Sequence, residues 1–357
     1  MTGTSEAAPP AKPFASTADL ADQECVLEEL ADGVYAYTAQ GDPNVGAIVG
    51  RDAVLAVDAR ATPVMARQWL DELRRVTDKP VRYLLLTHYH AVRTLGASAF
   101  GADWVIAHAG TKALVAERGA QDFESEARRF PRLFRDIDSI PGLTWPTVTF
   151  TDEMAVDLGG RVVELRFLGL GHTSGDVVAW LPDERVLFAG DLVEAQAAPY
   201  MGDAYVGEWA GPTLARAAAL DADALVGGRG ATVRGTAVAE AIGQTRDFLA
   251  TVHRITAEVV RREGGVKEAF DLAYQALAPR YGGWPIFEHC MPFNVQRAYD
   301  ECAGVHPRIW TAERDQAVWN ELQGGSGGSR SGAVALGGQG GSGGSKSGAV
   351  APGVTGD

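Results

Sequence analysis

Four apolar runs in this chain end in the same way, with a polar residue set in a short loop, usually beside glycine. They are "LLLTHYHAVR" (84–93), "RFLGLGHTSGD" (166–176), "RVLFAGDLV" (185–193) and "ADALVGGRGATV" (222–233). A strand held in a sheet is rigid and the loop at its end is exposed, so functional side chains collect at such junctions. One histidine or aspartate at a strand end is more often a satisfied structural residue. Four such ends in one chain point to a single constructed site.

The surroundings fit that design. "GVYAYTA" (33–39), "VGAIVG" (45–50) and "AVLAVDA" (53–59) are closely spaced strand-like runs. A helix follows over "TPVMARQWLDELRRV" (62–76), with apolar residues at helical spacing and Thr62 as its cap. After the strands "RYLLL" and "WVIAH" comes a second set, "TVTF", "MAVDL", "RVVELRFL", "DVVAWLP" and "RVLFAGD". Helices are expected at "PTLARAAAL" and over 236–262. Strands followed by helices, given twice, predict an α/β sandwich with two mixed sheets inside and helices outside. The expected organisation is a loose Ala/Pro-rich arm (1–25), the sandwich (26–265), a mainly helical C-terminal extension (266–323) and a Gly/Ser-rich disordered tail (324–357). In that tail a 16-residue unit is nearly repeated, and its composition cannot supply a core.

Composition excludes some functions. With 46 acidic against 32 basic residues, net −14, the chain lacks the basic balance of a nucleic-acid binder. Cys25, Cys290 and Cys302 are odd in number and widely spaced, which speaks against a disulfide framework or a cysteine zinc site. There is neither a secretory leader pattern nor an apolar run near the ~20 residues of a membrane span. The expectation is a cytoplasmic protein acting on a small molecule, without nucleic-acid or membrane partners.

HxH (His88, His90), then "GHT" (His172), then "GD" (Asp191), then a glycine-flanked residue after a strand (Arg229) resembles the metallo-β-lactamase-fold superfamily, which includes glyoxalase II-like thioesterases, lactonases and β-lactamases. The resemblance covers roughly residues 30–235. It implies a four-layer αββα sandwich with a metal site at one edge of the paired sheets. In two-metal members one metal takes the HxH histidines, the GHT histidine and the bridging aspartate. Those positions are His88, His90, His172 and Asp191 here. The second metal takes an Asp-His pair and a final histidine, positions that hold Val92, Arg93 and Arg229. The resemblance therefore implies one metal, with the second set lost as a unit.

Three imidazoles with one further position suit a catalytic zinc; a histidine and carboxylate set with open positions also suits iron(II). Without the second cation, Arg93 or Arg229 is expected to pair with Asp191, leaving the other free to meet a substrate carboxylate or oxyanion. Asp191, Arg93 and Arg229 are thus the candidate catalytic residues. Val92 stands where relatives carry an aspartate that orients the attacking water, so that task passes to Asp191 or to the substrate. Asp58 matches a position that buttresses the metal histidines, and equally suits a strand-end turn. The residues leave three functions open: a single-metal hydrolase of a small ester, thioester, lactone or amide; a mononuclear iron oxygenase resembling the persulfide dioxygenases; and a non-catalytic binder of small anions.

Elsewhere, His108 and His253 read as structural and Asp176 as the cap of its own loop. "DFESEARRFPRLFRDIDSI" (122–140) reads as an amphipathic surface helix broken at Pro131, its arginines paired with nearby carboxylates; the competing reading is a lid over the site. His289, in the aromatic-rich C-terminal extension, is the one other histidine with a chance of reaching the pocket.

Overall fold

A computed structural model describes residues 12–323; residues 1–11 and the Gly/Ser tail expected over 324–357 lie outside the described residues. One sheet holds seven strands in chain order: β1 (Cys25–Ala31), β2 (Val34–Ala39), β3 (Val45–Val49), β4 (Val54–Val57), β5 (Val81–Leu85), β6 (Trp104–His108) and β7 (Val148–Phe150). It is antiparallel through β4 and parallel from β4 to β7. The other sheet holds β8 (Glu153–Asp157), β9 (Val162–Phe167), β10 (Val177–Leu181), β11 (Val186–Gly190), β12 (Ala224–Gly227) and β13 (Val233–Arg234), ordered β13-β12-β11-β10-β9-β8. Its one parallel pair is β11–β12.

The helices are α1 (Pro63–Arg74), α2 (Ala91–Thr94), α3 (Ala109–Arg129), α4 (Val206–Glu208), α5 (Leu214–Ala219), α6 (Thr236–Arg261), α7 (Val266–Tyr281), α8 (Phe287–Cys302) and α9 (Ala312–Gln323). Helix α1 starts where the sequence places it. The Thr62 hydroxyl accepts from the Met65 N–H at 3.2 Å and Pro63 takes the first turn. Ala66, Trp69 and Leu73, at helical spacing, bury one face against the first sheet.

The central core lies between the sheets. Leu30, Val34, Ile48, Leu55, Leu85 and Ile106 from one meet Val163, Leu165, Val177, Phe188 and Val226 from the other. Strands β10, β11 and β12 are buried along their whole length, because helices cover their second face. Edge strand β8 keeps only Val156 buried. Helices α6 to α9 share one apolar cluster with the outer face of the second sheet, including Trp180, Leu187, Phe248, Phe293 and Trp319. This is the expected four-layer αββα sandwich with a helical C-terminal extension. Among the described residues no helix is long and apolar enough to cross a membrane.

Two stretches differ from expectation. The part of the N-terminal arm that is described is held in place: Ser16 N–H donates to the Arg129 carbonyl at 2.9 Å, and Ser16 Oγ lies 2.8 Å from His289 Nδ1. The segment read as a surface helix is the end of α3 and a 3₁₀ turn (Pro131–Phe134), and two of its arginines are buried. Arg129 donates to Tyr200 Oη and Glu126, both at 2.6 Å, and Arg132 to Asp42 at 2.6 and 3.0 Å. Carboxylates are among the partners, as expected, but Asp42 and the Tyr200 phenol are distant in sequence. The aromatic side of the turn does face the site: Phe130, Leu133 and Phe134 pack with Val92.

Candidate metal centre

His88 and His90 follow β5 of the first sheet, while His172 follows β9 and Asp191 follows β11 of the second, so strand ends from both sheets carry the four residues. The three histidines form one buried group whose ligand-capable nitrogens lie within 4.8 Å of one another. Each ring is fixed from behind. The His172 Nδ1–H donates to the Tyr200 carbonyl at 2.8 Å. His90 Nε2 lies 3.2 Å from Asp203 Oδ2, and His88 Nδ1 lies 3.1 Å from the Thr87 hydroxyl. Thr87 in turn donates its N–H and its hydroxyl to Asp58, both at 2.8 Å. Asp58 thus holds the residue before His88, from a strand-end position with φ of 60°. Burial pushes its carboxyl up to about 6, against Arg93 and the Thr87 bonds.

This arrangement fits a bound cation. Tyr200 fixes the His172 proton on Nδ1, and Asp203 does the same for the His90 proton on Nε2. The two facing nitrogens, His90 Nδ1 and His172 Nε2, are 3.0 Å apart. Two lone pairs that close require an electrophile between them, either a proton or a metal ion. His88 Nε2 converges on the same place and is buried without a hydrogen-bond partner. Three imidazoles whose far nitrogens are anchored form the donor set of a catalytic zinc.

The other side of Asp191 is built differently. Arg93 Nη2 donates to Asp191 Oδ1 and, at 2.6 Å, to the Gly228 carbonyl, while Arg93 Nη1 donates to the Asn44 carbonyl at 2.7 Å. Arg229 Nη1 donates to Asp191 Oδ2 at 3.1 Å. Both arginines pair with the carboxylate, where only one was expected to. A Cβ at position 228 would collide with Asp191 Oδ1, so this approach requires glycine. Burial works against the charge on Asp191, but Arg93, His88 and Arg229 outweigh it and hold the carboxyl well below its usual range. Asp191 Oδ2 still faces the histidines, 3.9 Å from His88 Nε2 and 3.7 Å from His172 Nε2.

Several residues of the centre have no signature in the sequence. Asp203 accepts from Tyr89 Oη at 2.7 Å and from Arg118 at 2.9 Å besides facing His90. Burial would raise its carboxyl, but His90, Arg118 and Tyr89 bring it down to about 2. Asp122 on α3 accepts from the Ala91 N–H at 2.7 Å, fixing the turn after His90. Glu194 accepts from the Arg229 N–H at 2.5 Å; burial and the nearby Asp191 push its carboxyl well above the usual range. Only the glycine beside Asp203 in "MGDAY" resembles the other loop signals.

The remaining expectations divide. His108 caps α3, accepting from the Gly110 N–H at 3.0 Å, and His253 lies 3.8 Å from Glu301; neither joins the histidine group. Asp176 accepts from the Thr173 N–H at 2.6 Å and from its hydroxyl at 2.9 Å, closing its own loop. His289 does reach the site. It lines a cavity of about 20 Å³ together with His90, Asp191, Arg229, Phe130 and Cys290.

Residues 39–247 match the profile of the metallo-beta-lactamase superfamily. The chain is 26% identical over 193 residues to a type 2 metallo-beta-lactamase of Bacillus sp. (strain 170), covering 51% of this chain and 67% of that one. The corresponding Bacteroides fragilis protein is 23% identical over 186 residues, 51% of this chain and 70% of its own. The 2,4-dinitroanisole O-demethylase subunit alpha of Nocardioides sp. (strain JS1661) is 29% identical over 167 residues, which is 46% of this chain and only 43% of that subunit. In fold, the metallo-beta-lactamase from Pontibacter korlensis superposes with a TM-score of 0.51 at 20% identity, covering 64% of this chain and 99% of its own. With the strand-end histidines in the superfamily's order and more than half of its length matched, the chain belongs to the metallo-beta-lactamase superfamily.

Proposed function

We propose that the chain is a hydrolase working with one divalent metal, most suitably zinc, on a small ester, thioester, lactone or amide. One contrast carries this reading. On one side of Asp191 three imidazole lone pairs converge; on the other, two guanidiniums occupy the carboxylate. A bound zinc would supply Lewis acidity and bring the pKa of a coordinated water to about 7. His88, His90 and His172 would hold it.

The chain's own groups divide the remaining tasks. Asp191 Oδ2 is the acceptor facing the histidines, and it would orient a water held there. Arg93 has both terminal nitrogens engaged by protein oxygens, so it stands in for the missing second cation. Arg229 lines the cavity and gives a single terminal nitrogen to Asp191, so it is the donor available to a developing oxyanion. The similarity to an O-demethylase subunit adds an aryl methyl ether to the candidate bonds.

Metal analysis of natively expressed protein, paired with a panel of small esters, tests the proposal. One equivalent of zinc, with turnover lost in His88→Ala, is expected. Two equivalents overturn the single-metal reading, and bound iron with oxygen uptake would replace it with an oxygenase. The closed cavity favours a second reading, a non-catalytic member of the fold; absence of metal, with stability unchanged by chelator, would establish that instead.

A further inference from the structure

We propose that the groove between residues 12–19 and helix α8 is the substrate's entrance to this centre, and that His289 is the residue that decides what passes. This rests on the functional reading above and adds a route and a substrate class to it. The cavity beside His90 and Asp191 measures about 20 Å³, room for about one water at the 10–15 Å³ each requires. Nothing larger reaches Arg229 while the cavity keeps this closed form.

Two residues, Ile286 and His289, line both this cavity and a surface groove of about 540 Å³. Two other surface clefts, of about 630 and 320 Å³, share no lining residue with the cavity. The partition is therefore a single layer of side chains in one place. Behind it α8 is anchored by buried Phe287, Met291 and Phe293, so the helix itself is a poor hinge. On the outer side, Ser16 contacts His289 Nδ1 at 2.8 Å and the Arg129 carbonyl at 2.9 Å, and Lys12 pairs with Glu288 at 2.6 Å on the exposed rim. Beyond these the segment is held by Asp19, 3.0 Å from Arg132, and by Phe14 against Trp319. Ile286 has φ of 56°, a left-handed conformation costly for a β-branched residue. Such strain persists only where packing enforces it, and it gathers at clamps and gates.

The groove also indicates what it admits. Trp284, Ile286, Phe287 and Trp319 line it, while its lysine and glutamate are paired with each other and its Asp19 with Arg132. That chemistry suits a small neutral molecule with an apolar or aromatic part.

Cys290 lines the cavity and is buried, so its modification reports access without requiring metal or turnover. The full chain would be treated with neutral methyl methanethiosulfonate or its anionic sulfonatoethyl analogue, with each cysteine followed by mass spectrometry. Cys25 and Cys302, both partly exposed and outside the cavity, serve as references. Ser16→Ala should speed neutral labelling of Cys290 about fivefold, the factor carried by one lost hydrogen bond of ordinary strength. His289→Ala should speed it further, the anionic reagent should lag, and Gln196→Ala in the 320 Å³ cleft should change nothing. Unchanged rates in Ser16→Ala and His289→Ala, or acceleration by Gln196→Ala alone, would overturn the route. Because no metal is involved, that failure is distinct from failure of the hydrolase reading.

Discussion

Arg93 in α2 and Asp191 in the loop after β11 face each other, and both are buried, with side chains 1% and 3% exposed. Arg229 approaches the other oxygen of the same carboxylate. One anion is thus shared by two guanidiniums, with Asp58 lying 3.5 Å from Arg93 as a partial counterweight. Removing one partner of a buried pair leaves the other charge without compensation, at a cost of about 3–5 kcal/mol. Arg93→Met should lower unfolding stability by less than that, because Arg229 still pairs with Asp191, measured from urea midpoints at constant metal content. Asp191→Asn should be costly for the opposite reason, since two cations then remain together. The double variant should lose less than the sum of the singles, as expected when two residues share one interaction. Additive losses would mean that the pair is not a functional unit.

If the arginines replace a metal, reversing the replacement should recover it. Val92→Asp, Arg93→His and Arg229→His together restore the ligand types that two-metal relatives carry at these positions. The triple variant should bind two equivalents of zinc where one is expected of the wild type, measured by elemental analysis after gel filtration. A single equivalent in the triple variant would mean that surrounding packing, such as the cap formed by α8, also closes the second site.

Asp203 should act on the metal through His90. Its carboxylate faces His90 Nε2 at 3.2 Å and keeps the proton there, leaving Nδ1 free toward the cavity. Loss of such a support typically costs 10–100-fold in metal affinity. Asp203→Asn should therefore weaken zinc binding by about one to two orders of magnitude in a chelator competition. Tyr89→Phe, which removes one of the bonds orienting Asp203, should weaken it less.

The contrast between His172 and Asp203 explains what could be read from the sequence. His88, His90, His172 and Asp191 are legible because each closes an apolar strand, and strand order brings those ends together. Asp203 lies in a loop with no strand before it, and Asp122 lies in mid-helix at a position that only tertiary packing turns toward Ala91. Neither spacing nor composition marks them. The paired sheets were readable from alternating and continuous apolar runs, as in β9 and β10. The closure of the site was not, because it depends on how α8 lies across the strand ends. Aromatic density around Trp284 and Phe293 indicated packing but not against which face. The pairing of both arginines with Asp191 was hidden similarly, since charge type names a partner class and not a geometry.

His108 offers a test of pH dependence outside the metal centre. Its Nδ1 accepts from the Gly110 N–H at 3.0 Å to cap α3, its Nε2–H donates to the Thr151 carbonyl at 2.7 Å, and its ring stacks on Phe167 at 4.2 Å. Protonating Nδ1 would remove the cap acceptor. Burial pushes the imidazole pKa down, against the opposing influence of the Thr151 bond and Asp152. The unfolded chain then binds a proton at this residue more readily than the folded one. Its contribution to stability is complete above the ordinary histidine pKa of about 6.5 and is lost as pH falls below it toward the depressed folded value. Asn is also a strong helix cap and does not titrate. His108→Asn should therefore lose less stability than the wild type between pH 7 and pH 5, compared through urea midpoints at each pH. Parallel losses in the two proteins would show that His108 does not contribute to the acid sensitivity of the fold, leaving it to the other buried histidines.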